Sequence, residues 1–228
     1  MALQDFKSNE AAQAYELVMD AIVTQQLAPS QKVSENVFSD LFGISRTLSR
    51  NLIERLIAKQ FLVSMSPRVT LVAPLTAMEI KQNFALRKIL MPPIWALAAV
   101  RVDYDELEAL HAEIRATQPL DDDSVALQML KKNKSLNLLV CEQAGYPLML
   151  DWARQLEDTA MRIYWLYLKA HDRSPYSGEQ QARIIQTMRS DDAVSIRETV
   201  HDILSQVEDR ILTSILSSKQ FSTQDLTI

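Results

Sequence analysis

The sequence predicts a mainly α-helical protein in two parts: a helix-turn-helix with a small β-hairpin, then an all-helical bundle. Three observations carry this. The 228 residues include only three glycines, Gly43, Gly145 and Gly178, set among long runs of helix-forming residues. Two short β-type runs, 61–64 and 69–72, stand alone between helical stretches. From Thr76 onward the apolar residues recur at helical spacing.

The first helix is expected over 11–26, where Ala14, Leu17, Val18, Ala21 and Ile22 share a face and Pro29 follows. Lys32-Val33 has room for a very short strand. Ser34 has the character of an N-cap, and Val37, Phe38, Leu41 and Phe42 form the stripe of a short second helix. Gly43 follows where a left-handed residue would end it. Ser45 is a second N-cap, with Ile44 before it as a staple. A third helix runs from Arg46 to about Lys59 on the stripe Leu48, Leu52, Ile53, Leu56. The two β runs then pair across the turn Ser66-Pro67-Arg68.

In the second part, Thr76 caps a long helix toward Val102, which Pro92-Pro93 is expected to kink or break. Further helices are expected over 104–116, 125–143, 147–170, 179–189 and 192–217. Asp121-Asp122-Asp123 reads as a solvated loop before a Ser124 N-cap. The domains are therefore 1–75 and 76–217, with 218–228 a polar tail.

Composition bounds the function. At 47% hydrophobic and 23% charged the chain is an ordinary globular sequence. Residues 1–75 are balanced in charge, and 76–228 carry the whole net −5. The single cysteine, Cys141, excludes an internal disulfide and reads as a small core residue in a reducing compartment. No apolar run approaches the ~18 residues of a membrane span, and the polar residues 1–9 lack a signal-peptide core, so a cytoplasmic location is expected. Three scattered histidines, no Ser-His-Asp set and no glycine-rich phosphate loop argue against an enzyme. His111 and His171 are expected at the surface.

The segment 34–56 has the features of a DNA-reading helix-turn-helix. Two short amphipathic helices flank a turn containing Gly43, and the second opens Ser45-Arg46-Thr47 with Arg50 one turn later. A recognition helix reads bases from its N-terminal residues. Arg46 and Arg50 share a face at i, i+4, and arginine grips guanine O6 and N7 bidentately. Ser45 and Thr47 suit phosphates. The candidate DNA-contacting set is Ser34, Glu35, Ser45, Arg46, Thr47, Ser49, Arg50 and, at the wing tip, Arg68. A plain helical hairpin with solvated arginines is the competing reading of the motif alone.

These residues resemble the DNA-binding domain of the GntR family of transcription factors. The matching stretches are Leu27-Ala28-Pro29-Ser30, Val33-Ser34-Glu35, residues 43–53, Arg55-Leu56, Phe61-Leu62-Val63 and Pro67-Arg68. The departures are Ser30 for a glycine, Leu48 for a proline, Ser49 for an apolar residue, Asn51 for a glutamate, and Val69 for the wing glycine. The second half resembles that family's FCD subclass through Arg87, Leu90, Ala96, Leu97-Ala98-Ala99, Asn133–Asn137 and Ala144-Gly145-Tyr146-Pro147-Leu148.

The resemblance implies a winged, ligand-responsive DNA-binding regulator that acts as a homodimer on a pseudo-palindromic operator. Its partners would be double-stranded DNA and a small organic effector, with a carboxylate as the candidate class; no membrane is involved. The metal ligands of many FCD domains fall on Asn133, Asn137, Gln181 and Ile203, with His201 two residues from the last. Amides are poor transition-metal ligands, so no metal and no cofactor are expected. The effector would meet Arg87, Asn133, Asn137, Arg162, Trp165 and Gln181. Arg87 would grip a carboxylate, unless it is held in a salt bridge within the domain. The alternative is a winged-helix protein with a collapsed sensor, acting through protein contacts.

Overall fold

The computed structural model describes residues 2–117, 122–171 and 173–217. The chain forms two compact units that part between Leu75 and Thr76. The tail 218–228, expected to be polar and frayed, lies outside the described residues, as does Asp121.

The first unit holds α1 (Ala2–Val23), β1 (Lys32–Val33), α2 (Glu35–Phe42), α3 (Arg46–Ala58), β2 (Leu62–Ser66) and β3 (Val69–Val72). Helix α1 begins well before the expected Ala11 and ends short of the expected Gln26, since Gln25 takes φ 60°. The caps are as the side chains dictate. Ser34 Oγ accepts from the Val37 amide at 3.3 Å, and Ser45 Oγ accepts from Leu48 at 3.2 Å. Gly43, at φ 64°, ends α2 and donates its amide to Ser39 O. The sheet order is β1-β3-β2, all antiparallel. Ser66 pairs with Val69, which leaves Pro67 and Arg68 as the hairpin loop, and the register shifts between Ser64 and Ser66. Val18, Ile22, Leu27, Phe38, Leu56 and Val72 are fully buried in one core that all three helices share with the sheet.

Ser30 fills a backbone position that favours glycine. It adopts φ 62°, and its amide bonds to Val72 O while the Val72 amide bonds to Gln31 O. The sheet edge requires a left-handed residue here, and serine accepts the strain.

The second unit is helical: α4 (Ala77–Ala98), α5 (Tyr104–Ala116), α6 (Asp123–Gln143), α7 (Pro147–His171), α8 (Gly178–Arg189) and α9 (Ala193–Ser217). Thr76 and Glu79 form a reciprocal capping box at the start of α4. That helix packs along α9 and against α6 and α7; α5 packs on α6 and α8. Two points go beyond the expectations. Of the kink or break expected at Pro92-Pro93, a break is excluded, because α4 continues through both prolines to Ala98. The prolines remove the donors for the Lys88 and Ile89 carbonyls, but Met91, Pro92, Ile94 and Trp95 are buried around the defect. Burial of these four side chains, each worth roughly 1.5–3 kcal/mol, offsets a cost of about 3 kcal/mol for each of the two prolines. The N-cap of α6 is Asp122, which accepts from the Ser124 and Val125 amides, so Ser124 lies inside the helix.

Candidate nucleic-acid interface and polar core

In the first unit, Ser45, Arg46, Thr47 and Arg50 are exposed together at the front of α3. Arg68 is exposed in the two-residue hairpin loop. Ser34 is exposed and Glu35 half-buried at the start of α2. Arg50 is not free: its Nε donates to Glu35 Oε1 at 2.7 Å and its Nη2 to Oε2 at 3.3 Å. The ion pair holds the Glu35 carboxyl below its usual range. Ser49 corrects an expectation. It is fully buried, donating to Ser45 O at 3.0 Å and lying 3.1 Å from Ser39 Oγ. The reason is spacing: 49, 52 and 56 form one stripe, and Leu52 and Leu56 anchor that stripe in the core. Ser49 joins α2 to α3 and does not face outward.

In the second unit, Arg87 is buried, and its Nη2 lies 2.8 Å from Oε1 of Glu157, itself 1% exposed. The Tyr164 hydroxyl accepts from Arg87 Nη1, and the Tyr176 hydroxyl lies 3.4 Å from Nη2. The two tyrosine hydroxyls are 2.8 Å apart, with their rings edge to face. Asn137 Nδ2 donates to Glu157 Oε2 at 3.0 Å, so both carboxylate oxygens are used. The Glu157 charge holds the Arg87 guanidinium ionised despite full burial, which opposes it. Burial likewise pushes the Tyr164 hydroxyl well up and the Cys141 thiol up to about 12.

Of the six residues expected to meet an effector, the structure joins some and separates others. Asn133 Oδ1 accepts from Gln181 Nε2 at 3.1 Å, whereas Asn137 turns to Glu157, so the three amides do not form one cluster. Arg162 and Trp165 are buried on α7. The arginine offered to a carboxylate is instead held by a carboxylate of the same domain. An unpaired buried guanidinium costs several kcal/mol, and Glu157 removes that cost. Among the described residues, Arg87 Nε and Trp165 Nε1 are buried donors without a hydrogen-bond partner. Sequence reasoning missed Glu157 and Tyr176. Glu157 had a signal: it sits in phase with Ala153, Ala160 and Tyr164 on the buried stripe of α7.

The four positions at which the resemblance would place metal ligands do not suit a metal here. Asn133 and Gln181 are bonded to each other, Asn137 serves Glu157, and Ile203 is a buried aliphatic residue. His201 is exposed, on a different face of α9 from Ile203. His111 corrects another expectation: it is buried on α5, and its Nε2 has no hydrogen-bond partner among the described residues. No described helix is long and apolar enough to cross a membrane.

The FCD domain family model matches residues 82–206. No curated protein matches the chain. Among solved structures, McbR/YncC of E. coli is similar with a TM-score of 0.73 at 16% identity, over 89% of this chain and 97% of that one. A Rhodococcus sp. RHA1 protein named as a GntR transcriptional regulator gives a TM-score of 0.67 at 14% identity, over 90% and 98%. A GntR family member from Pseudomonas syringae pv. tomato str. DC3000 gives 0.50 at 18% identity, over 92% and 88%. At such identities these likenesses establish the fold. The family match spans more than half of the sequence, and the protein belongs to the FCD domain family.

Proposed function

We propose that the protein is a DNA-binding transcriptional regulator of the GntR type, and not an enzyme. It would act in the cytoplasm as a homodimer, with each winged domain addressing one half of a pseudo-palindromic operator. The observation that carries the reading is the front of α3, where Ser45, Arg46, Thr47 and Arg50 are exposed together. The homodimer is supported by α4, whose outward stripe Leu86, Ile89 and Leu97, continued by Val100 just past the helix end, is exposed and uncharged. Exposed apolar stripes mark contact surfaces, and one without charge meets its own copy across a two-fold axis with no unpaired ion.

The helical domain would sense a small organic effector at the polar core, using Arg87, Asn133, Asn137, Arg162, Trp165 and Gln181. The unpartnered donors Arg87 Nε and Trp165 Nε1 support this, since buried donors require an acceptor. The Glu157 contact favours a neutral or dipolar effector over a simple carboxylate, which would have to displace Glu157 from Arg87. The same contact favours the second reading, a collapsed sensor in a protein acting through protein contacts.

The test is selection of bound duplexes from a random pool by the purified chain. The expected result is an enriched two-fold-symmetric sequence, bound by wild type and lost with Arg46→Ala/Arg50→Ala. Each good bidentate contact removed should cost about 1–3 kcal/mol. Enrichment of nothing, at low salt, would overturn the reading.

A further inference from the structure

We propose that Glu35 is a positioning residue that presents Arg50 to a guanine. This rests on the regulator reading and adds to it the residue that sets sequence preference at one base pair. Glu35 is the first residue of α2, and Arg50 lies on the second turn of α3. The pair closes across the helix-turn-helix, fifteen residues apart in sequence.

The geometry of the contact defines what it does. A guanidinium has five N–H donors in a rigid plane. Glu35 takes one edge of it, the Nε and Nη2 hydrogens, at 2.7 and 3.3 Å. The opposite end, Nη1 with the second hydrogen of Nη2, is left as two N–H groups side by side. That end is the one whose spacing matches O6 and N7 of a guanine in the major groove. The Arg50 side chain is 65% exposed, so this end is accessible. Arg46, one turn earlier on the same face, makes no ion pair of this kind with Glu35, so the positioning falls on Arg50 alone.

Stability does not account for the pair. An exposed ion pair contributes little to folding. A carboxylate on a face that meets phosphates also opposes association with any duplex. What the pair does supply is orientation before binding, which lowers the ordering cost of the one correct contact. Glu35 therefore weakens binding to all DNA and sharpens the choice among sequences.

The experiment uses the full chain and the duplex it selects from a random pool, with each G·C pair of one half-site replaced in turn. Dissociation constants are measured at one salt concentration for wild type, Glu35→Ala, Glu35→Gln, Arg50→Ala and the double variant. Glu35→Ala should lose about tenfold of discrimination at a single G·C pair, as expected for a bidentate base contact. Arg50→Ala should lose it at the same pair, and the double variant should lose no more. Affinity of Glu35→Ala for an unrelated duplex should rise, and Glu35→Gln, which keeps one acceptor, should fall between. A uniform loss across all duplexes would overturn the proposal, as would a loss at a pair that Arg50→Ala leaves untouched. If wild type selects no duplex, the regulator reading fails first, and this role with it.

Discussion

Arg87 Nη2 and Glu157 Oε1 lie 2.8 Å apart, with both side chains almost entirely removed from solvent. They join α4 to α7 at the centre of the helical unit. Such a pair adds little net stability when complete, but leaving one partner alone in the core is costly. Glu157→Ala should therefore destabilise the chain by about 3–5 kcal/mol, read as a lower urea midpoint. Replacing both residues by apolar ones of similar volume should recover most of the loss. An unchanged midpoint for Glu157→Ala would show that the charge is not buried as described.

His111 should make stability fall in mild acid. Burial, with Arg115 beside it, holds the imidazole below its ordinary value of 6.5, against weaker opposing effects from Gln181 and Glu108. The folded state thus keeps His111 neutral while the unfolded chain takes up a proton near 6.5. The stability due to the neutral ring is complete above that value and is lost as pH falls below it, toward the folded value. Urea midpoints measured from about pH 7 down to 5 should decline, and His111→Gln should flatten that decline. Equal slopes for the two proteins would remove the effect.

Ser30→Gly should stabilise the first unit. Serine at φ 62° is strained where glycine is not. The gain should be about 0.5–1 kcal/mol, less the greater freedom of glycine in the unfolded chain. Thermal unfolding followed by circular dichroism checks it, and a lower transition temperature would contradict the strain argument.

Ile89→Glu should weaken self-association. Ile89 is 73% exposed on the uncharged stripe of α4, so the substitution leaves the fold in place. If the stripe faces a second copy, two carboxylates are brought together at the interface, and the dimer dissociation constant should rise roughly tenfold or more. Sedimentation velocity over a concentration series reads this. A variant that stays as dimeric as wild type would move the dimer contact elsewhere.

How much was legible in advance follows from the range of each signal. The caps Ser34, Ser45 and Thr76, the αL glycine Gly43, and the boundaries of α3, α5 and β3 could all be read in order. Each depends on hydrogen bonds and side-chain spacing within about four residues. The exposed front of α3 was legible for the same reason, since the N-terminal turn of a helix is defined by its cap.

Partners and facing directions were not legible, because they depend on how whole helices pack. Ser49 resembles its exposed neighbours in composition, but burial of Leu52 and Leu56 turns its face inward. Arg87 meets Glu157 across seventy residues of chain. Asn137 leaves Asn133 to join that pair, while Gln181 comes from a different helix to take Asn133. The sequence by itself determined the caps of α2, α3 and α4, the bounds of α5 and β3, and that the chain divides into a hairpin-bearing part and a helical one. Tertiary structure alone decided which buried charges neutralise one another and whether α4 survives its two prolines. Those outcomes are settled by the burial of entire helix faces, and no window of neighbouring residues encodes that quantity.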